Sequence, residues 1–286
     1  MRVLITGGAG QLGRDLADLL GASAFALDRL DCDVTNLAAV EAAIERVGPD
    51  AIVNAAAWTD VDGCEEDPVR ARLANATGAS NVARAAGDAL VVQISTDYVF
   101  DGRAARAYTE SDPTNPLSVY GASKLEGEVK VADARRWAVV RTAWLYGAGT
   151  RNFVASILRA ARTRERLSVV NDQVGSPTST PDLAGALIEL IDRGATGVLH
   201  GVNAGECSRY DFARAIFSEA GLDPSRVEPV TTEAMPRPAA RPAYAPMEGV
   251  AWRAAGLPEL RPWRAALSDV VPGVLEALDA EAAAAR

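Results

Sequence analysis

Residues 2–20 read RVLITGGAGQLGRDLADLL. An apolar, β-branched run stops at Gly7, and from Leu12 onward Leu16, Leu19 and Leu20 recur at helical spacing. Glycines at Gly7, Gly10 and Gly13 permit a tight turn, close approach of a diphosphate to the backbone, and tight packing of helix on strand. The helix N-terminus meanwhile faces the negative charge. A glycine string alone says little, and a purely structural turn is the competing reading. A strand before it and a helix after it favour a dinucleotide site at the first strand-to-helix junction.

The next residues repeat the pattern. Strands are expected at 2–6, 24–28, 51–57, 90–96 and 137–142, with helices at 12–20, 37–46, 70–87 and 119–132. Such alternation predicts βαβ units and a Rossmann-like, doubly wound parallel α/β sheet. Beyond Tyr146 the alternation weakens, and eight of the fifteen prolines lie between Pro224 and Pro262. The chain is therefore read as a dinucleotide-binding domain over 1–147 and a smaller, loop-rich substrate domain over 148–286. Helices are expected there at 152–163, 181–193, 208–220 and 262–279, followed by a fraying EAAAAR at 281–286. The helix near 181–193 and a strand near 197–202 are expected to pack back on the first domain.

Composition narrows the function. The 286 residues are 49% hydrophobic and 23% charged, as in soluble globular proteins. A net charge of -9 argues against nucleic acid and anionic membranes as partners. There is no apolar run of the ~20 residues a membrane helix needs. MRVLITGGAG lacks the layout of a signal peptide, so a cytoplasmic location is expected. Cys32, Cys64 and Cys207 are scattered, which suits reduced thiols, and His200 is the single histidine, so histidine triads and multi-histidine metal sites have almost nothing to work with. A structural role is expected for His200.

Asp28 ends the second strand, where a carboxylate can bind the adenosine ribose and favour NAD. Arg29 follows at once and can pair with the 2′-phosphate of NADP, so both NADH and NADPH are expected to be usable. Asp33 reads either as an adenine contact or as a solvated loop carboxylate. Asn54, Ala55, Ala56 and Ala57 close another strand with small residues, suited to a passing cofactor or to simple packing.

Within SVYGASKLEGE, residues 118–128, Tyr120 and Lys124 stand one helical turn apart and share a face. Reduction of a ketone needs a proton donor at the oxygen, and a phenol serves if a neighbouring cation lowers its pKa. Lys124 is expected to do so and to hydrogen-bond the nicotinamide ribose, with Gly121 and Ala122 leaving room for the cofactor. A third group should hold the carbonyl oxygen from the end of strand 90–96. Ser95 and Thr96 are both there, and Thr96 is preferred.

These motifs, with VNAAAWTDVDGCE at 53–65, STDYVFDG at 95–102, RTAWLYG at 141–147 and NDQVGSPT at 171–178, resemble those of the extended short-chain dehydrogenases/reductases and, within them, the dTDP-4-dehydrorhamnose reductase family. The resemblance covers nearly the whole chain. It implies NAD(P)H-dependent reduction of the C4 ketone of dTDP-4-dehydro-6-deoxy-L-mannose to dTDP-L-rhamnose. It puts the catalytic groups at Thr96, Tyr120 and Lys124. It implies cofactor contacts at Gly7, Gly10, Gln11, Leu12, Gly13, Asp28, Ala55, Ala56, Ala57, Asn75 and Lys124. Substrate contacts would be Val61, Asp97, Tyr98, Phe100, Trp144, Asn171 and Gln173.

One departure stands out. Where the family reads like ARRPxxSxL, this chain has AARPAYAPM at 239–247, with Ala240 for an arginine and Ala245 for a serine. Arg241 remains as a diphosphate contact, and another deoxysugar substrate is the alternative. Some members dimerise through magnesium held by glutamates. Asp15 occupies one such place but Pro181 stands where another acid is expected, so the metal is not carried over; a homodimer stays open as an expectation. Two rivals stay open: a dehydratase or epimerase, disfavoured because Tyr98 follows Asp97 where an Asp-Glu pair is usual, and a regulatory subunit like the methionine adenosyltransferase β subunit.

Overall fold

All four residues of β1 (Val3–Thr6) are buried, the signature of a strand covered on both faces. It is part of a computed structural model that describes residues 1–284. β1 pairs in parallel with β2 (Ala24–Leu27) on one side and β3 (Ala51–Asn54) on the other. The sheet continues through β4 (Leu90–Thr96) and β5 (Arg136–Thr142) to a sixth strand, Gly197–His200, again all parallel. The chain thus steps outward from β1 to β2 and returns to β3 on the opposite side of β1. That reversal opens a crevice at the carboxyl ends of β1 and β3, where open α/β sheets bind ligands.

Alternation along the strands divides the core. Val3, Ile5, Val53, Val92 and Val140 face one layer, with Leu12 and Leu16 of α1 (Gln11–Leu20) and Leu183, Leu187 and Leu190 of the Thr180–Arg193 helix. Leu4, Ile52, Val91 and Val139 face the other, against Val40 of α2 (Leu37–Val47), Val82 of the Gly78–Ala85 helix and Val131 of the Val119–Val131 helix. A separate core around Tyr146, Leu158, Phe212, Trp263 and Leu267 joins the helices Phe153–Ala161, Arg209–Glu219 and Trp263–Ala284.

Some boundaries differ from the sequence reading. The strand expected over 51–57 ends at Asn54, and its alanines form the loop that follows. The helix expected over 70–87 is interrupted: Pro68–Arg72 passes into a π-turn at Leu73–Thr77 before Gly78–Ala85. A short helix, Val61–Glu66, precedes it. At the C-terminus the helix runs to Ala284 instead of fraying from Glu281, as alanine's high helix propensity favours. Ion pairs Arg159–Glu281 and Arg162–Asp279 fasten it, and Ala285 and Arg286 lie outside the described residues.

His200 is 2% exposed, its ring near the Glu248 carbonyl and its backbone N–H donating to Glu110. The three cysteines are free and buried. Among the described residues no helix is long and apolar enough to cross a membrane.

Candidate active site

The cofactor loop is built by close contact. Gly7 has φ +70°, and a Cβ there would lie 2.8 Å from the Ala56 nitrogen, so the turn after β1 rests on the loop after β3. At Gly13 a Cβ would come within 2.5 Å of the Gly7 carbonyl oxygen, which locks α1 against the turn. Gly10 donates its N–H to that same carbonyl at 2.9 Å. No side chain caps α1 and no acid occupies its first turn, so its N-terminal amides suit an anion. Beneath the loop, Thr6 donates to Asn54 and Asn54 to Gln93 across the strand ends, at 2.5 and 2.6 Å.

Not every expected cofactor residue presents its side chain. Leu12 is buried in the core, which leaves its backbone for a ligand. Gln11 accepts a hydrogen bond from Asn152 at 2.7 Å, which ties the loop to the start of the Phe153–Ala161 helix. At the end of β2, Asp28 Oδ1 accepts the Leu30 and Asp31 N–H groups at 2.7 and 3.2 Å. Arg29 is exposed and pairs with Asp33 at 3.3 Å. Asp33 also accepts from the Thr35 N–H and hydroxyl, which hold its carboxyl below the usual range. It therefore staples its own turn. Ala55, Ala56 and Ala57 are half-buried in the loop beside Gly7.

Thr96 closes β4, donating to Asp97 at 3.0 Å and accepting the Tyr98 N–H at 3.2 Å. Ser95 turns the other way and donates to Glu128 at 2.5 Å, which separates the two candidate hydroxyls. Ser118 caps the Val119–Val131 helix, and Gly121 lets that helix sit on the Asp97–Val99 turn: a Cβ would meet the Tyr98 carbonyl oxygen at 2.2 Å. Gly121 therefore serves packing, and Ala122 is exposed. The Tyr120 ring lies edge-on to Tyr98, with centroids 5.5 Å apart.

Tyr120 and Lys124 are 8% and 4% exposed, both on the buried face of this helix. Burial holds the Tyr120 phenol above its ordinary pKa, with the Thr96 hydroxyl pulling it back only in part. Lys124 Nζ donates to the Ile94 carbonyl at 2.6 Å, and burial pushes its pKa down to about 8 against the opposing pull of Glu128. Spacing alone does not acidify a phenol when desolvation opposes it. Glu128 is itself clamped by Ser95 and by Arg141 at 2.7 Å, a buried pair one turn beyond Lys124.

Around these groups the other expected residues divide. Asn75, in the π-turn, bonds both ways to the Trp58 backbone and donates to Ser123 at 2.9 Å; it links the loop after β3 to the reactive helix. Val61 and Tyr98 pack beside Tyr120. Burial pushes Asp97 up to about 6, partly offset by the Thr96 hydrogen bond and the Arg209 charge. Phe100 is a correction: it is 0% exposed and stacked on Tyr108 at 4.1 Å, so its side chain belongs to the core and not to a substrate surface. Trp144 has a left-handed φ of 48° and lies under Arg209. Asn171 is exposed, whereas the Gln173 amide nitrogen is spent on Thr232 at 3.0 Å.

Arg241 is not alone. It and Arg237 both bind Asp62, and despite partial burial their hydrogen bonds and that of the Ala239 N–H hold Asp62 at about 2. The pair counted as lost at Ala240 is thus matched in number by Arg237. Asp15 faces inward, its Oδ2 buried without a partner among the described residues and its pKa raised by burial. Glu128 was legible as the next residue on the Lys124 face. Asp62 lies within the 53–65 motif but was not singled out there, and Arg209 and Arg237 had no motif to mark them.

Comparisons with known proteins agree with this geometry. A family model described as RmlD substrate binding domain matches residues 1–275. The dTDP-4-dehydrorhamnose reductase of Mycolicibacterium smegmatis is 45% identical over 96% of this chain and 86% of its own. The dTDP-4-keto-6-deoxy-D-glucose reductase of Streptomyces niveus is 43% identical over 95% of this chain and 96% of its own. The crystal structure of dTDP-4-dehydrorhamnose reductase from Bacillus anthracis in complex with NADP superposes with a TM-score of 0.91, at 38% identity, covering 94% of this chain and 98% of the other. The sheet, the glycine loop, the threonine, tyrosine and lysine around it, and a family match along nearly the whole chain make this protein a member of the RmlD family, the dTDP-4-dehydrorhamnose reductases.

Proposed function

We propose that the protein reduces the C4 ketone of dTDP-4-dehydro-6-deoxy-L-mannose to dTDP-L-rhamnose with NADPH or NADH. The observation that carries this reading is the convergence of Thr96, Tyr120 and Lys124 at the carboxyl end of β4, next to a loop that leaves no space for side chains at Gly7 and Gly13. The fit to a dinucleotide rests on that close-packed loop and on the uncapped start of α1. When bound, the reduced nicotinamide supplies the hydride.

The chain's own residues do the rest. Thr96 offers its hydroxyl to the ketone oxygen, and Tyr120 delivers the proton as the alkoxide forms. Its raised pKa keeps the phenol protonated, as an acid must be before the reaction. Lys124 steadies the phenolate left behind, with its own charge maintained by Glu128. Asp28 and Arg29 read the adenosine ribose end, and Arg241 with Arg237 takes the diphosphate. Val61, Tyr98 and Trp144 line the sugar site.

We further assign residues 1–147, with the Thr180–Arg193 helix and the strand Gly197–His200, to the cofactor unit, and most of the remainder to the substrate. A cytoplasmic location and a homodimer accompany the reading; fractionation and sedimentation test them. The assay for function is loss of NADPH absorbance with an enzymatically generated dTDP-4-keto-6-deoxy sugar, with the product identified by NMR. Cofactor binding without turnover on any such sugar would overturn it. Turnover to a different C4 epimer would favour another deoxysugar reductase, a reading supported by the 43% identity to the Streptomyces niveus enzyme.

A further inference from the structure

Arg209 opens the Arg209–Glu219 helix, and its guanidinium carbon lies 3.5 Å from the centroid of Trp144 and 5.0 Å from that of Phe153. Trp144 cannot retreat. It packs on Gly175, where a Cβ would fall 2.6 Å from the indole Cε2, and its backbone is already in the left-handed region. The guanidinium is therefore fixed in place by aromatic stacking.

Its hydrogen-bonding capacity is not used. Among the described residues no carboxylate lies within ion-pair distance of Arg209, and the Asp97 and Arg241 charges act on it from farther off. The guanidinium is half-buried, and its five N–H donors have no protein acceptor among the described residues, which leaves them free for a ligand. Arg237 and Arg241, by contrast, are anchored by Asp62 and keep further donors for an anion. Asp97, which directly follows Thr96, is close enough for its charge and that of Arg209 to act on each other, and the two form no ion pair. An alcohol matches this arrangement because one hydroxyl accepts from a guanidinium and donates to a carboxylate. A phosphate would meet the Asp97 charge.

We infer that Arg209 binds the hexose, donating to a ring hydroxyl that in turn donates to Asp97, and so selects sugars by the orientation of that hydroxyl. This inference rests on the reductase reading above. It assigns Arg209 to the sugar and leaves the nucleotide diphosphate to other residues.

The test compares Arg209→Met and Arg209→Lys with the wild type, using KM for the dTDP-4-keto-6-deoxy sugar, the inhibition constant of dTDP, NADPH affinity and thermal stability. Arg209→Met should raise KM about ten- to a hundredfold, the loss of one charged hydrogen bond, with the other three quantities unchanged. Arg209→Lys should recover only part of that loss. Substrates lacking the C2 or C3 hydroxyl should be penalised in the wild type and, for the hydroxyl concerned, not further penalised in Arg209→Met. An unmoved KM overturns the inference, as does a parallel loss of dTDP affinity, which would make the diphosphate the ligand. A joint fall in NADPH affinity and stability would make the residue structural. No turnover by the wild type defeats the reductase reading itself, whereas normal wild-type turnover with insensitive variants defeats only the role of Arg209.

Discussion

Replacing Lys124 by methionine should stabilise the folded protein while abolishing its activity. The side chain is 4% exposed, and burial lowers its pKa from an ordinary 10.5 to about 8. At about 1.4 kcal/mol per tenfold change in proton affinity, keeping the ammonium inside costs roughly 3 kcal/mol. Methionine of similar length avoids this cost and forfeits one hydrogen bond to the Ile94 carbonyl, roughly 1 kcal/mol. That carbonyl keeps the Gln93 side-chain amide at 3.0 Å, so it is not stranded. The net gain is about 2 kcal/mol.

The pH dependence gives the test its force. Below pH 8 the lysine is charged in both folded and unfolded chains, and the whole cost is present. Between about 8 and 10.5 the unfolded chain holds a proton that the folded chain sheds, so the wild type gains stability as pH rises. Urea unfolding from pH 6 to 10 should show the variant ahead by about 2 kcal/mol at neutral pH and its advantage shrinking above 8. A variant less stable at pH 7, or an advantage independent of pH, would refute the claim that this lysine is held against its solvation.

Tyr120→Phe keeps the ring and removes the proton donor, so kcat should fall ~100-fold or more with unfolding unchanged; wild-type turnover would reassign the acid. Gly121→Ala drives a methyl to 2.2 Å from the Tyr98 carbonyl and should cost about 1–3 kcal/mol together with a lower kcat, whereas unaltered stability would mean the helix can slide. Asp28→Ala should shift preference toward NADPH, and an unchanged NADH to NADPH ratio would remove Asp28 from ribose recognition. Asp62→Asn should cost about 2 kcal/mol near neutral pH, because a carboxyl lowered from 3.8 to about 2 contributes stability above pH 4 that fades as pH falls through 2. Acid-unfolding curves of wild type and variant that fail to converge near pH 2 would contradict this.

The parallel sheet was legible because its strands are short apolar runs bounded by Gly, Asp and Asn, and because the glycine loop joins a strand to an amphipathic helix. The spacing of Tyr120 and Lys124 likewise survives as a shared buried face. Local pattern failed where tertiary contact decides. Leu73–Thr77 reads as ordinary helix, yet the chain bulges there and Asn75 reaches both Trp58 and Ser123. Phe100 lies in a recognisable motif but turns into the core. The spacing of Tyr120 and Lys124 carries no measure of burial, and burial raises the Tyr120 pKa. Arg237 and Arg209 meet the site only through long-range folding, 175 residues from Asp62 in one case and on a separate helix in the other.

The sixth strand of the main sheet comes from Gly197–His200, long after the chain has left β5. Cutting the gene after residue 147 would therefore strip β5 of its neighbour and remove the Thr180–Arg193 helix from the layer above Val140. A raw β edge beside bare valines invites self-association. Anyone seeking a minimal nucleotide-binding module would do better to splice residues 180–200 back onto the first half than to trim at the visible change in pattern.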